Sequence, residues 1–165
     1  MRSGPLFMTA RSDMDIFSKI RDEHKRILRT MDELIGSAPD ARRDSINDLA
    51  MQIMAHMNAE ERTIFPAFEA LESEPRSVAI QNAEEHQVAR YLLNGLRDQG
   101  LNDETWAAKL RVFRNVLNAH IESEERVMLD QALGYFTQEE IDHISKRYEE
   151  VEAELFKKSR IDVLM

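Results

Sequence analysis

The sequence predicts an all-α protein: an antiparallel up-down-up-down four-helix bundle with an additional C-terminal fifth helix. Three observations carry this expectation. Apolar residues recur at spacings of three and four through most of the chain, and no stretch sustains the alternation of a half-buried strand. The 165 residues include only five glycines and four prolines, with 42% hydrophobic and 32% charged side chains, a globular composition that leans toward helix. Connections between the periodic segments are short, so successive helices should lie antiparallel as neighbours.

The first helix is expected from about Ser12, an N-cap residue type, through Ile16, Ile20, Ile27, Met31 and Leu34 to a stop at Gly36. The second opens after Pro39 and carries Ile46, Leu49, Ile53 and Ile64 before fading near Leu71. Pro66 lacks a backbone donor and should kink or end it early. The third begins around Pro75 to Ser77 and runs to Gly100, with Ala79, Ala83, Leu93 and Leu96 inward. The fourth starts after Asn102 or Asp103 with the clearest stripe, Trp106, Leu110, Phe113, Leu117 and Val127. The fifth is announced by "TQEE", in which Thr137 and Glu140 form a capping box, and its stripe is Ile141, Ile144, Tyr148, Val151 and Leu155. Residues 1–11 are expected to be a flexible lead-in, residues 12–158 one bundle domain and residues 159–165 a tail.

Composition excludes several function classes. A net charge of −9 disfavours a nucleic-acid backbone or an anionic membrane as the partner, because like charges repel. With no cysteine, thiolate zinc sites, thiolate-held iron–sulfur clusters and disulfides are excluded, so any metal must be held by nitrogen and oxygen. No apolar run has the length of a membrane helix, and "MRSGPLFMTA" lacks the pattern of a secretory signal, so a cytoplasmic location is expected.

The helical stripes contain residues that do not belong in an apolar core. Ile20, His24, Ile27 and Met31 step by four, three and four, so His24 points inward with its neighbours. Ile53, His56, Glu60 and Ile64 do the same in the second helix, Ala83, His86 and Leu93 in the third, and Leu117, His120, Glu124 and Val127 in the fourth. Burying an ionised carboxylate or an unpaired imidazole costs several kcal/mol per group unless something compensates. A cation satisfies all six together, and His-x-x-x-Glu at i, i+4 places both donors on one helical face. Counting back from the expected helix ends at about 1.5 Å per residue brings the six to one level within roughly two turns.

The pattern is duplicated. "AHMNAEERTIF" from Ala55 returns 64 positions later as "AHIESEERVML" from Ala119, and His24 and His86 each follow a glutamate. Two hairpins, each contributing a histidine and then His-x-x-x-Glu, build a two-fold symmetric site, which suggests two metals. Glu61 and Glu125, one position past the proposed ligands, are expected in a solvated or outer supporting role, with coordination of a metal by one of them as the alternative. Arg62, Arg90 and Arg126 are read as surface residues or carboxylate partners, His143 as a surface residue, Met54 and Met57 as core filler, and Tyr91 and Tyr135 as packing.

As a set, His24, His56-x-x-x-Glu60, His86 and His120-x-x-x-Glu124 resembles the hemerythrin-like, or HHE cation-binding, domain over roughly Asp13 to Leu133. Ferritin-like di-iron bundles use the reverse order and spacing, Glu-x-x-His, and fit poorly. The resemblance implies two non-haem irons held by the four histidines, with Glu60 and Glu124 as bridges and a shared oxo or hydroxo group, although manganese or zinc suits the same donors. Each iron would then have five ligands and one free place for dioxygen, nitric oxide or peroxide. The chain departs from oxygen-carrying hemerythrins at Arg90, where those have a further histidine, and at Glu124, where they have His-x-x-x-x-Asp. One imidazole fewer argues against simple oxygen carriage and toward members that sense iron or oxygen, or that respond to nitric oxide and help repair iron centres. The expected function is therefore binding or sensing of O2, NO or iron, with a di-iron enzyme reducing NO or peroxide, or an iron-storing or iron-donating protein, as the alternatives. A homodimer is compatible with this reading.

Overall fold

The computed structural model of the protein describes residues 15–102 and 104–164, with side chains to residue 159. Ser12, Asp103 and the expected lead-in of residues 1–11 lie outside the described residues. Among the described residues there is no strand. The helices are α1 (Ile16–Ile35), α2 (Arg42–Arg62), α3 (Ile64–Glu69), α4 (Glu74–Asp98), α5 (Trp106–Glu124), α6 (Ala132–Tyr135) and α7 (Gln138–Leu164). Long helices α1, α2, α4 and α5 each touch two of the others in a closed ring, the arrangement of a four-helix bundle. Helix α7 packs chiefly on α2, and also reaches α1 and α3. No described helix is long and apolar enough to cross a membrane.

The ends of these helices follow from local chemistry. The Asp15 carboxylate accepts from Ser18 N at 2.8 Å and caps α1. Gly36 closes α1 in ordinary right-handed geometry, with φ −83°, so the stop does not depend on glycine's access to positive φ. The second predicted helix is interrupted at Thr63, where φ is −132° and ψ −63°, and resumes as α3. Pro66 explains the position of the break, since its missing N–H and its ring both act on the carbonyl four residues earlier, that of Arg62. Pro75 sits in the first turn of α4. The capping box before α7 forms as expected: Thr137 N donates to Glu140 Oε2 at 2.7 Å and Glu140 N to Thr137 Oγ1 at 3.3 Å. Helix α7 continues through residues 159–164.

One expected core position is displaced. After Glu124 the chain makes a π turn over Glu125–Leu129, in which Asp130 N donates to Glu125 O at 2.9 Å. The wider turn advances the inward phase by one residue. Met128 and Leu129 are buried in place of the expected Val127, which is only half-buried. Ala83, expected to face inward, is likewise half-buried, and Asn82 takes the inner place beside it.

The core is divided in two. One apolar cluster, from Met31, Leu49, Leu93, Trp106 and Phe113, fills one end of the bundle. The other, from Ile20, Phe65, Phe68, Met128 and Val151, fills the opposite end and includes the buried face of α7. Buried polar residues Glu23, His24, His56, Glu60, His86, His120 and Glu124 are common to neither cluster and are all under 8% exposed.

Candidate metal centre

All six sequence-predicted residues meet inside the bundle. Ligating atoms of Glu60, His86, His120 and Glu124 lie within 4.8 Å of one another, and so do those of His24, His56 and Glu60. On one side His24 and His56 meet edge to face with ring centroids 4.7 Å apart; on the other, His86 and His120 do the same at 4.8 Å. The two glutamates span both sides. Glu60 Oε1 lies 3.0 Å from His56 Nε2, and its Oε2 lies 3.3 Å from His86 Nε2. Glu124 Oε2 lies 3.1 Å from His120 Nε2, and its Oε1 3.8 Å from His24 Nε2.

Behind each imidazole stands a carboxylate. His24 Nδ1 donates to Glu125 Oε1 at 2.8 Å, His56 Nδ1 to Glu23 Oε2 at 2.8 Å, His86 Nδ1 to Glu61 Oε1 at 2.8 Å and His120 Nδ1 to Glu85 Oε2 at 2.7 Å. The assignment of donor follows from the carboxylates. The hydrogen bond from His120 holds Glu85 below its usual range, and that from His24 does the same for Glu125. Burial would raise Glu61, but His86 and Arg90 beside it override this and lower it. Burial would raise Glu23 as well, yet its hydrogen bonds, led by that from His56, bring it down to about 2. Ionised carboxylates only accept, so every Nδ1 carries its proton and every Nε2 faces the centre. Orientation of imidazoles by backing carboxylates is the usual arrangement around a metal.

The contacts obey the sequence repeat. Exchanging 23, 24, 56, 60 and 61 with 85, 86, 120, 124 and 125 respectively turns the His56–Glu23 pair into His120–Glu85, and His86–Glu61 into His24–Glu125. Glu61 and Glu125 thus stand behind the imidazoles of His86 and His24. Glu23 and Glu85 were missed as individual residues, although the acidic residue before each histidine was the signal that marks them. Adjacent helical residues diverge too far to interact, and each in fact serves the histidine of the next helix.

Helix α7 breaks the symmetry. Tyr148, with no exposed surface, donates its hydroxyl to Glu23 Oε2 at 2.6 Å, and the phenol oxygen lies 3.0 Å from His56 Nδ1. Burial, then the charges of Glu60 and Glu23, push the phenol up, so it remains a donor. Glu152 Oε1 pairs with Lys19 Nζ at 3.0 Å. Burial and its hydrogen bond with Glu23 raise the Glu152 carboxyl to about 7. Among the described residues the equivalent Glu85 is hydrogen-bonded to Gln81 and His120 alone, and its side chain is 31% exposed against 8% for Glu23.

Tyr135 packs as expected, its ring edge-on to that of the buried Phe68 at 6.1 Å between centroids, whereas Tyr91, also expected in the packing, is 79% exposed. Arg90 pairs with Glu61 at 2.8 Å as a carboxylate partner, His143 is at the surface, and Met57 is buried in the core.

Whether these residues suit a cation is decided by their unused atoms. His24 Nε2, His56 Nε2, both Glu60 oxygens and Glu124 Oε2 are buried without a hydrogen-bond partner among the described residues. His56 Nε2 and Glu60 Oε1 are 3.0 Å apart but not aligned as donor and acceptor. His86 Nε2 and His120 Nε2 point at each other across 3.1 Å. In the metal-free protein His56, His86 and His120 hold a second proton more firmly than a free imidazole does. Burial opposes this, but the Glu60 charge and the Glu23 hydrogen bond raise His56 well above its usual range. Against the same opposition, Glu124 and Glu85 raise His120 to about 10. Burial would raise Glu60, but His56 and His86 beside it pull it well below the usual carboxylate range. Imidazole nitrogens and carboxylate oxygens converging in a dry interior are a first-row metal donor set, and the fit is good.

Comparison with known proteins agrees. The family model "Hemerythrin HHE cation binding domain" matches residues 15–132. A crystal structure of a hemerythrin HHE cation binding domain-containing protein from Mycobacterium kansasii superposes with a TM-score of 0.74 at 18% identity, covering 90% of this chain and 93% of that one. At that identity the likeness concerns the fold. No curated protein matches the sequence.

Proposed function

The chain belongs to the hemerythrin HHE cation-binding domain family, and from that premise we propose that it holds two iron ions in the bundle core and binds or senses a diatomic gas. His24 and His56 would hold one ion, His86 and His120 the other, with Glu60 and Glu124 shared between them. Bound there, iron would supply a redox-active centre with affinity for dioxygen and nitric oxide.

The observation that carries this reading is the set of five buried atoms, on four side chains, that converge on one another without a hydrogen-bond partner among the described residues. The chain's own residues restrict what may approach. On the apolar side of the four histidines is a cavity of about 10 Å³, walled by Ile27, Ile53, Met57, Leu117 and Ile121. That is room for about one water-sized molecule. Among the described residues that apolar wall offers no hydroxyl, carboxyl or amine. The proton-bearing groups that line the cavity, among the described residues, are the four imidazoles that would hold the ions, which favours binding over turnover.

Metal analysis and an optical spectrum of the protein purified aerobically from iron-rich medium test the proposal. Two irons per chain with an iron-derived absorption are expected, and His56→Ala should lower metal content and melting temperature together. Unchanged metal stoichiometry in that variant would defeat the assignment.

A further inference from the structure

The fifth helix brings to the site a residue that the four-helix repeat does not need. Glu23, which backs His56, lines a cavity of about 180 Å³ shared with Lys19, Gln52, His56 and Glu152. Its carboxylate therefore has both room to swing away from His56 and a cation, Lys19 Nζ at 4.0 Å, to swing toward. Tyr148 opposes that motion, since its hydroxyl donates to the same oxygen, Oε2, that accepts from His56 Nδ1. On the other side of the site, among the described residues, Glu85 is held by Gln81 and His120 alone and is partly exposed.

We propose that Tyr148 is a positioning residue that pins Glu23 against His56, so that the His24–His56 half of the site releases its metal more slowly than the His86–His120 half. The inference rests on the reading that the six residues hold two ions. An imidazole locked in orientation loses no rotational freedom when it binds, and its re-association outcompetes departure of the ion. Partners of this kind alter metal affinity by about 10–100-fold. The hydroxyl is the operative group, because a phenyl ring alone fills the same space against α2.

Zinc-loaded protein mixed with a chromogenic chelator tests this. The wild type should release its two zinc ions in two phases of equal amplitude. Tyr148→Phe should speed the slow phase about tenfold and leave the fast phase alone. In zinc-loaded protein with isotope-labelled histidine, the same variant should shift the Nδ1–H resonance of His56 and not that of His120, which a general loosening of the fold would not do selectively. Should Tyr148→Phe not fold, the wild type still decides, because His56 Nδ1–H should exchange with solvent at least about tenfold more slowly than His120 Nδ1–H. Single-phase release, equal acceleration of both phases, an unaltered slow phase or equal exchange overturns the inference while leaving the two-metal reading intact. A wild-type protein that takes up no zinc overturns the reading itself.

Discussion

His56 and His120 occupy equivalent places in two copies of one hairpin, each with a glutamate one turn on and a carboxylate behind Nδ1. Their surroundings differ in dielectric. The carboxylate behind His56 is under α7 with Tyr148 and Glu152, whereas the one behind His120 is at the water's edge. A duplicated sequence need not yield two equal halves. One helix added to one flank is enough to set them apart, because hydrogen bonds to charge strengthen as water leaves.

The comparison should vanish for the ligands themselves. His56→Ala and His120→Ala each leave carboxylates buried without their counter-charge, and each is expected to lower the melting temperature by on the order of 10 °C with loss of bound metal. Calorimetry and metal analysis of the two variants check this; an effect confined to one half would mean that only that half is a metal site.

Removing metal should invert the response to pH. In the metal-free protein the folded-state pKa of His120 is raised from 6.5 to about 10. Its contribution to stability is then full below 6.5 and is lost as pH rises through about 10, and His56 and His86, also raised, act in the same direction. Glu23 is depressed from 4.5 to about 2, so its contribution is present above 4.5 and lost only as pH falls through about 2. With metal bound, the Nε2 lone pairs are committed and protons compete with the ion, so stability should fail first on the acid side. Melting curves against pH, with and without chelator, distinguish the two limbs.

A more direct comparison changes the backing carboxylates. Glu23→Gln should weaken metal binding about 10–100-fold, since the amide is a poorer acceptor for both His56 and Tyr148. Glu85→Gln, where water can substitute, should cost only a few-fold, about 1 kcal/mol. The smallest contrast is expected between Glu61→Gln and Glu125→Gln. Both carboxylates are partly exposed, 25% and 31%, so their effects on metal affinity should agree within about threefold. Chelator titration of the four variants gives the series, and a Glu85 effect as large as that of Glu23 would remove the asymmetry.

Much of this was open to inspection in the sequence. Stripes of three-and-four spacing located the helices, Pro66 foretold the break that falls at Thr63, and Thr137 with Glu140 marked the start of α7. The six core residues stood out because polar side chains at inward positions are expensive, and the duplication of "AHxxxEER" tied the two copies together. Other features escaped. Val127 looked inward until the π turn moved that role to Met128, because helical phase was counted at 3.6 residues per turn where the chain makes a wider one. Tyr148 read as one more apolar stripe member, and its hydroxyl gave no indication of its partner.

By itself the sequence determined where helices form and which side chains turn inward, because period, capping and the penalty for buried charge act within a few residues along the chain. Tertiary structure alone decided which carboxylate stands behind which imidazole and what covers it. His24 finds Glu125 across 101 residues and Glu23 finds Tyr148 across 125. Such pairs depend on how each helix is rotated and how closely it approaches its neighbour, and that is set by the packing of the whole bundle, which no local spacing encodes.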